Sequence, residues 1–280
     1  MKLSINLRNW GPLSTPTVLR DCARAADQSG LDSLWINEHI AIPPDLQMPA
    51  GVPDFADGRN LDPFATLAFL SSVTRRIGLG TAVVLIPYRP ALPTAKLAAT
   101  VQELSGGRLR LGIGVGWMKE EFKALGIDFH RRGELTDNTL SFIRQCFDNT
   151  DRAEANGQPF LFRPRPPCPP IYVGGNGPHC LKRTVQFGDG WIPAGIEPDA
   201  LRANISQLRR LAEDAGKAKP EVIAMKTLPI NDPPRAIDYA LQFAAVGVDH
   251  VVHTQGYEST SEYLGNIEIL EEKIRPALEN

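Results

Sequence analysis

Two glycine clusters, each placed where an apolar run gives out, suggest most of the chemistry open to this chain. One is Gly114-Val115-Gly116-Trp117, which follows the alternating run Arg108 to Ile113. The other is Gly174-Gly175-Asn176-Gly177, which follows Ile171-Tyr172-Val173. Glycine has no Cβ, so backbone N–H groups at such corners can approach a ligand closely. Each cluster leads into a helix start, whose N-terminus favours negative charge. The second cluster is therefore a candidate phosphate cradle, with an ordinary strand-to-helix corner as the plainer alternative. A titratable pair, Glu38-His39, stands at the end of a third apolar run, Leu31 to Asn37. An imidazole there can act as acid or base, or hydrogen-bond a ligand. A loop histidine capping backbone groups fits His39 equally well. Glu38 is its natural neighbour in proton transfer, and a salt bridge at the rim is its plainer role.

These residues need elements to hold them. Lys2 to Leu7 alternates as a strand does, and Pro16, after Ser14-Thr15, opens an amphipathic run that Gly30 stops. Asp62-Pro63 starts the next helix, and Ile77 to Ile86 is an apolar, β-branched run of the kind buried on both faces. A helix from about Ala91 leads through the turn Ser105-Gly106-Gly107 into the strand before the first glycine cluster. His130 to Phe147 is helical, and 151–169 reads as an irregular insertion ending in RPRPPCPP. Strands at Ile171, Gly190, Glu221 and Asp249 then alternate with helices at Pro178, Pro198, Pro233 and Thr260 to Leu278. Eight alternations with no linker predict a single (β/α)8 TIM barrel over residues 1–280, with its site at the carboxyl ends of the strands. A doubly wound sheet would place its Gly-rich turn after the first strand rather than the fourth. Those strand ends also offer Asn6, Arg8, Trp10, Asn37, Thr254 and Gln255. His250 and His253, three apart on one strand, must face opposite sides and cannot share a metal.

The stretch from Ser105 to Arg132 resembles the luciferase-like monooxygenase superfamily, in particular its flavin- and deazaflavin-dependent oxidoreductases. The match consists of Ser105 to Arg108, Leu111 to Trp117, and Glu121-Phe122, Gly126, Phe129 and Arg132 in register. The resemblance implies hydride transfer between coenzyme F420 and a small organic substrate. FMN is the alternative cofactor, with oxygen-dependent monooxygenation as its reaction. It further implies that Gly174, Gly175, Asn176 and Gly177 hold the cofactor phosphate, with Asn176 donating a side-chain hydrogen bond and the Gly114–Trp117 corner converging on the same anion. Gly80-Thr81-Ala82-Val83 would support the flat ring from behind, through a cis Ala82–Val83 peptide; an ordinary buried strand fits that composition as well. Relatives often carry an active-site His at His39. Trp117 replaces the catalytic Glu of the sugar-phosphate dehydrogenases, which weighs against that activity and suggests a residue lining the substrate pocket. A homodimer, through the apolar stretch Leu67 to Val73, and a separate reductase are implied partners. The Pro-rich stretch Ala41 to Asn60 is the natural lid.

Composition narrows the alternatives. A formal net charge of −2 without long charged blocks argues against nucleic-acid or membrane-surface partners. No signal peptide or membrane-length apolar run is visible, and Cys22, Cys146, Cys168 and Cys180 are scattered, as reduced cytoplasmic thiols are. No metal is expected. Two other readings remain: a non-redox barrel enzyme acting on a phosphorylated substrate, and a flavin-binding protein without turnover. The first needs a catalytic Lys or paired carboxylates, and Lys226, the one Lys inside a strand, has no evident acidic partner.

Overall fold

Strand and helix alternate down the chain because β-branched apolar runs are separated by segments that carry their own helix starts. A computed structural model describes residues 1–44, 58–148 and 152–279. The first half runs β1 (Lys2–Asn6), α1 (Pro16–Gln28), β2 (Ser33–Ile36), α2 (Pro63–Val73), β3 (Gly78–Thr81), β4 (Val84–Leu85), α3 (Ala91–Leu104), β5 (Leu109–Gly114), α4 (Lys119–Ala124) and α5 (Arg132–Cys146). The second half runs β6 (Arg152–Ala155), β7 (Gln158–Leu161), β8 (Ile171–Gly174), α6 (Pro178–Phe187), β9 (Gly190–Ile192), α7 (Pro198–Asp214), β10 (Glu221–Lys226), α8 (Pro233–Val246), β11 (His250–His253), α9 (Thr260–Ile269) and α10 (Arg275–Leu278). At α1, α2 and α8 a side chain of Thr15, Asp62 or Asp232 accepts a first-turn N–H, and proline follows at once. Proline there lacks only a donor that the helix would leave unused.

The main sheet follows the order β3-β2-β1-β11-β10-β9-β8-β5-β4, and β3 also pairs with β5, so the sheet closes. Every pairing in it is parallel. β3 and β4 are two halves of one barrel position, interrupted at Ala82–Val83, whose peptide is cis. The result is the eight-stranded (β/α)8 barrel expected from the alternation. α1 buries Leu19, Cys22, Ala23 and Ala26, the single stripe of an amphipathic helix facing a sheet. Inside the barrel, Trp35, Tyr172, Ile192, Ile223 and Val252 form a second, smaller cluster.

The alternation rule settles His250 and His253. His250 turns into the barrel, its Nε2 2.6 Å from Ser4 Oγ and its ring edge-on to Trp35. His253 turns outward, its Nδ1 accepting from the Leu228 N–H at 3.2 Å. Burial pushes His250 well below the ordinary imidazole value and His253 down to about 4, so both are neutral at physiological pH.

Two expectations need correction. The insertion is not irregular throughout: β6 and β7 pair antiparallel as a hairpin. Its turn is Asn156-Gly157, at φ 51° and 75°, the pair that a tight hairpin turn selects. The last helix is not continuous either, since a wide π turn over Leu270–Ile274 separates α9 from α10 just ahead of Pro276. Because Asn tolerates positive φ and a β-branched residue does not, Asn156→Val should destabilise the hairpin by about 1–2 kcal/mol. Hydrogen exchange should then speed up across residues 152–161 and stay unchanged in the barrel; uniform acceleration would mean the hairpin is coupled to the barrel core.

Candidate active site

The carboxyl ends of the strands surround a cavity of about 660 Å³. β1 and the segment after it supply Asn6, Arg8 and Trp10, and the end of β2 supplies Asn37. Ala82 and Val83 come from the break between β3 and β4, Gly174 and Gly175 from β8, and Ile192 to Gly195 from β9. Met225, Thr227, Thr254, Gln255 and Gly256 complete the lining. Strands fan apart here and leave backbone groups unpaired, so asparagines bridge them. Asn6 Nδ2 donates to Trp35 O at 2.9 Å and to Asn37 Oδ1 at 3.0 Å, and Asn9 exchanges hydrogen bonds with the Asn37 backbone. Asn9 was not expected from the sequence, although its place three residues past β1 was a signal.

Val83 is seated by glycines. A Cβ on Gly114 would lie 2.6 Å from Val83 Cγ2, and one on Gly174 would lie 2.8 Å from Cγ1. Those two glycines thus give their space to the Val83 side chain, which the sequence reading had assigned to a ligand. Gly112 makes room deeper down, where a Cβ would come within 1.9 Å of the Thr81 carbonyl oxygen. Gly116, at φ 80°, carries the chain past the Phe122 ring, and neither it nor Val115 or Trp117 lines the cavity.

The β8–α6 corner has a different character. Gly175 and Gly177 sit at φ 113° and 89° with nothing within 4 Å of an added Cβ, so backbone conformation, not crowding, demands glycine there. The corner is pinned from one side. Trp191 Nε1 donates to Gly175 O at 2.8 Å, and the Asn176 amide spends both its ends on Ala194, donating to its carbonyl at 2.9 Å and accepting from its N–H at 3.0 Å. No side chain caps α6 at Gly177, and Pro178 has no N–H, so the His179 and Cys180 N–H groups have no capping side chain. Burial pushes the Cys180 thiol up to about 11, so it is no nucleophile at neutral pH.

Glu38 and His39 follow the carboxyl end of β2 but do not line the cavity. Glu38 is 4% exposed; it pairs with Arg89 and accepts from the Leu85 N–H. Burial pushes it up to about 6, against the pull of Arg89. His39 sits edge-on to Trp117 with ring centres 6.0 Å apart, and its Nδ1 is 3.1 Å from Glu121 Oε2. Glu121 is fully buried and also accepts from Tyr88 Oη at 2.7 Å and from the Ile40 and Ala41 N–H groups at 2.6 and 3.1 Å. Burial pushes this carboxyl up, but those hydrogen bonds outweigh it and hold the group below the usual carboxylate value. Glu121 and Tyr88 had no assigned role in the sequence, and Arg89, read as able to meet an anionic group from a strand-end loop, meets Glu38 and Asp62. The signal was an acid directly before Phe122 on a helix only six residues long.

Lys226 does have an acidic partner, Glu197, contrary to the sequence reading, and it lies off the cavity lining. Among the described residues no group of three or more His, Cys, Asp or Glu side chains could hold a metal, and no helix is long and apolar enough to cross a membrane. Most of the stretch expected to form a lid, Ala41 to Asn60, lies outside the described residues.

A closed parallel barrel with a cavity at the carboxyl ends of its strands and an uncapped helix start next to that lining defines a (β/α)8 protein with a candidate ligand site. The chain matches the family model described as luciferase-like monooxygenase over residues 3–279, and it belongs to that family. An uncharacterized protein of Mycobacterium tuberculosis is 30% identical over 269 residues, 90% of this chain and 92% of that one. Among solved structures, monooxygenase RslO1 from Streptomyces bottropensis is similar with a TM-score of 0.82 at 19% identity, covering 99% of this chain and 100% of that one. An F420-dependent secondary alcohol dehydrogenase, solved with an F420–acetone adduct, is similar with a TM-score of 0.78 at 18% identity over the whole of both chains.

Proposed function

We propose that this chain is a redox enzyme that binds coenzyme F420 at the carboxyl ends of its strands and transfers hydride between that cofactor and a small organic substrate. The observation that carries the reading is an apolar ledge at Ala82–Val83 in the cavity lining together with Gly175 of the same lining, from which the chain leads into the uncapped start of α6. The residues fit a flavin-type group: the cavity has the volume of a ligand pocket, and the corner offers N–H donors that no side chain caps. Coenzyme F420 would supply the hydride-exchanging ring, whereas FMN would add reactivity towards oxygen. Ala82 and Val83 would support the ring, and the backbone of Asn176 and Gly177 with the α6 N-terminus would take the phosphate. His39, oriented by Glu121 and set back from the lining, would take or give the proton that accompanies hydride transfer through one intervening water. Arg89 and the Leu85 N–H already hold the Glu38 carboxylate, so Glu38 would act through the position of the loop it anchors. Pairing of two copies through α2 belongs to the same reading; Leu67 and Leu70 are consumed by the barrel, while Phe69 stays 38% exposed.

A side-by-side titration with coenzyme F420 and FMN, followed by cofactor fluorescence, tests the proposal. Micromolar or tighter binding of F420, with FMN at least ~10-fold weaker (about 1.4 kcal/mol), is the expected result. Tight binding of FMN alone would instead make oxygen-dependent monooxygenation the function, and binding of neither would end the redox reading in favour of a non-redox barrel enzyme.

A further inference from the structure

Among the described residues that line the cavity, Arg8 is the only one with a formal charge. Its guanidinium lies over the Trp10 ring at 3.9 Å and faces the Tyr257 ring at 5.6 Å. Nη1 donates to Tyr257 O at 2.9 Å, which fixes the group from one side. Nε is buried without a hydrogen-bond partner, and Nη2 donates to no described residue. No carboxylate among the described residues pairs with it. A fixed cation with no counter-charge among the described residues, beside a largely apolar cavity, favours an anionic guest and disfavours a cationic one.

The topology separates this cation from the phosphate-type corner. Around the closed sheet the order is β1, β2, β3, β5, β8, β9, β10, β11, so β1 and β8 stand four positions apart in either direction. Arg8 therefore lies across the mouth from Gly175 and α6. An anion-favouring group at each side of the cavity is one more than a cofactor phosphate accounts for.

We infer that Arg8 recognises the negative group of the substrate, and that the substrate is a small organic acid bearing a carboxylate. This deepens the proposed redox reading, since it names the substrate class of the same cavity, and it rests on that reading for the role of the guest as substrate. Arg8 donates to the carboxylate through Nη2, which no described residue uses, and the Trp10 stack keeps the guanidinium from swinging away.

The test uses benzoate and its neutral isostere benzamide as probes, titrated calorimetrically into the full-length protein, with and without whichever cofactor binds. The wild type should bind benzoate roughly tenfold or more tightly than benzamide. Arg8→Gln should erase that preference and leave cofactor affinity unchanged, while Arg8→Lys should keep part of it. Equal binding of the two probes by the wild type overturns the inference, even if R8Q fails to fold. A preference that survives R8Q overturns it too, by assigning the anion to the α6 corner. Loss of cofactor affinity in R8Q along with the preference would assign Arg8 to the cofactor and likewise overturn it. If neither cofactor binds any form, the redox reading falls, while the benzoate-to-benzamide ratio still decides the role of Arg8.

Discussion

Replacing Glu121 with glutamine should switch the tautomer of His39 and lower turnover by roughly 10²–10³-fold, on the assumption that His39 handles the proton. The argument starts from the carboxylate. Glu121 is held below its usual value, so it is ionised at neutral pH and can only accept hydrogen bonds. Nδ1 of His39 must then carry its hydrogen, which it donates to Oε2. The other oxygen, Oε1, accepts from the Ile40 and Ala41 N–H groups. In Glu121→Gln those two backbone donors claim the amide oxygen, and the NH₂ end faces Tyr88 and His39. Nδ1 must then accept, so the ring hydrogen moves to Nε2. Nitrogen NMR of the imidazole reads this directly, without any substrate. The variant should also lose about 1.5–3 kcal/mol, the worth of hydrogen bonds to a buried charge. The pH dependence follows from a depressed carboxylate. Its stabilisation is complete above the ordinary value of 4.5 and is lost as pH falls through the lower folded value. Urea unfolding should therefore show the wild-type advantage at pH 7 shrinking in acid below pH ~4.5. An unchanged imidazole spectrum together with turnover within twofold of wild type would remove Glu121 from any role in positioning His39.

Most of the barrel could be read from the chain because its signals are local. A β-branched run such as Ile77 to Ile86 sits between capped helices, and the parity of His250 and His253 puts them on opposite sides of the sheet, although the structure was needed to show that His250 is the one inside. Where the reading went wrong, the deciding fact was a contact between residues distant in sequence, or a turn lost among other signals. Glu121 lies 82 residues from His39, and an acid in the first turn of a helix ordinarily faces water. Nothing near it in the chain announces that two loop N–H groups and a tyrosine converge on it. Gly114 and Gly174 were read as space for a ligand, and the space is taken by Val83, a residue on neither of their strands. Asn176 was read as a donor to an anion, yet it is bound to Ala194 on the neighbouring strand end. Asn156-Gly157 was a readable hairpin signal, masked by the prolines that follow it. Glycine and asparagine types thus mark where the backbone does something unusual, and tertiary structure decides for whom.

Arg89→Met should cost about 3–5 kcal/mol of stability, the price of leaving one half of a buried ion pair behind. For a chain of this size each kcal/mol corresponds to ~2–4 °C, so the melting point should fall by roughly 10 °C. Glu38 has a side chain only 1% exposed, and without Arg89 its sole remaining hydrogen-bond donor is the Leu85 N–H. Arg89 also ties Asp62, the cap of α2, to this corner, so its loss frees a helix start as well. The sign of the pH effect separates this account from simple loss of packing. With Arg89 present, Glu38 is already pushed up to about 6, so its contribution is full below 4.5 and lost as pH rises through the folded value. Removing the guanidinium leaves only the Leu85 N–H to favour the charged form, and Glu38 then takes up a proton nearer neutrality. The deficit of Arg89→Met should therefore be larger at pH 8 than at pH 5, and Glu38→Gln in the same chain should restore much of it, since a neutral amide leaves no charge uncompensated. A deficit of equal size at both pH values, with no recovery in the double variant, would mean that the aliphatic stem of Arg89 packed over Phe64 is what matters. The expected pattern instead makes Glu38 and Arg89 a strut that holds the ends of β2 and β4 together, with the Val83 ledge at the start of β4 and His39 one residue beyond Glu38.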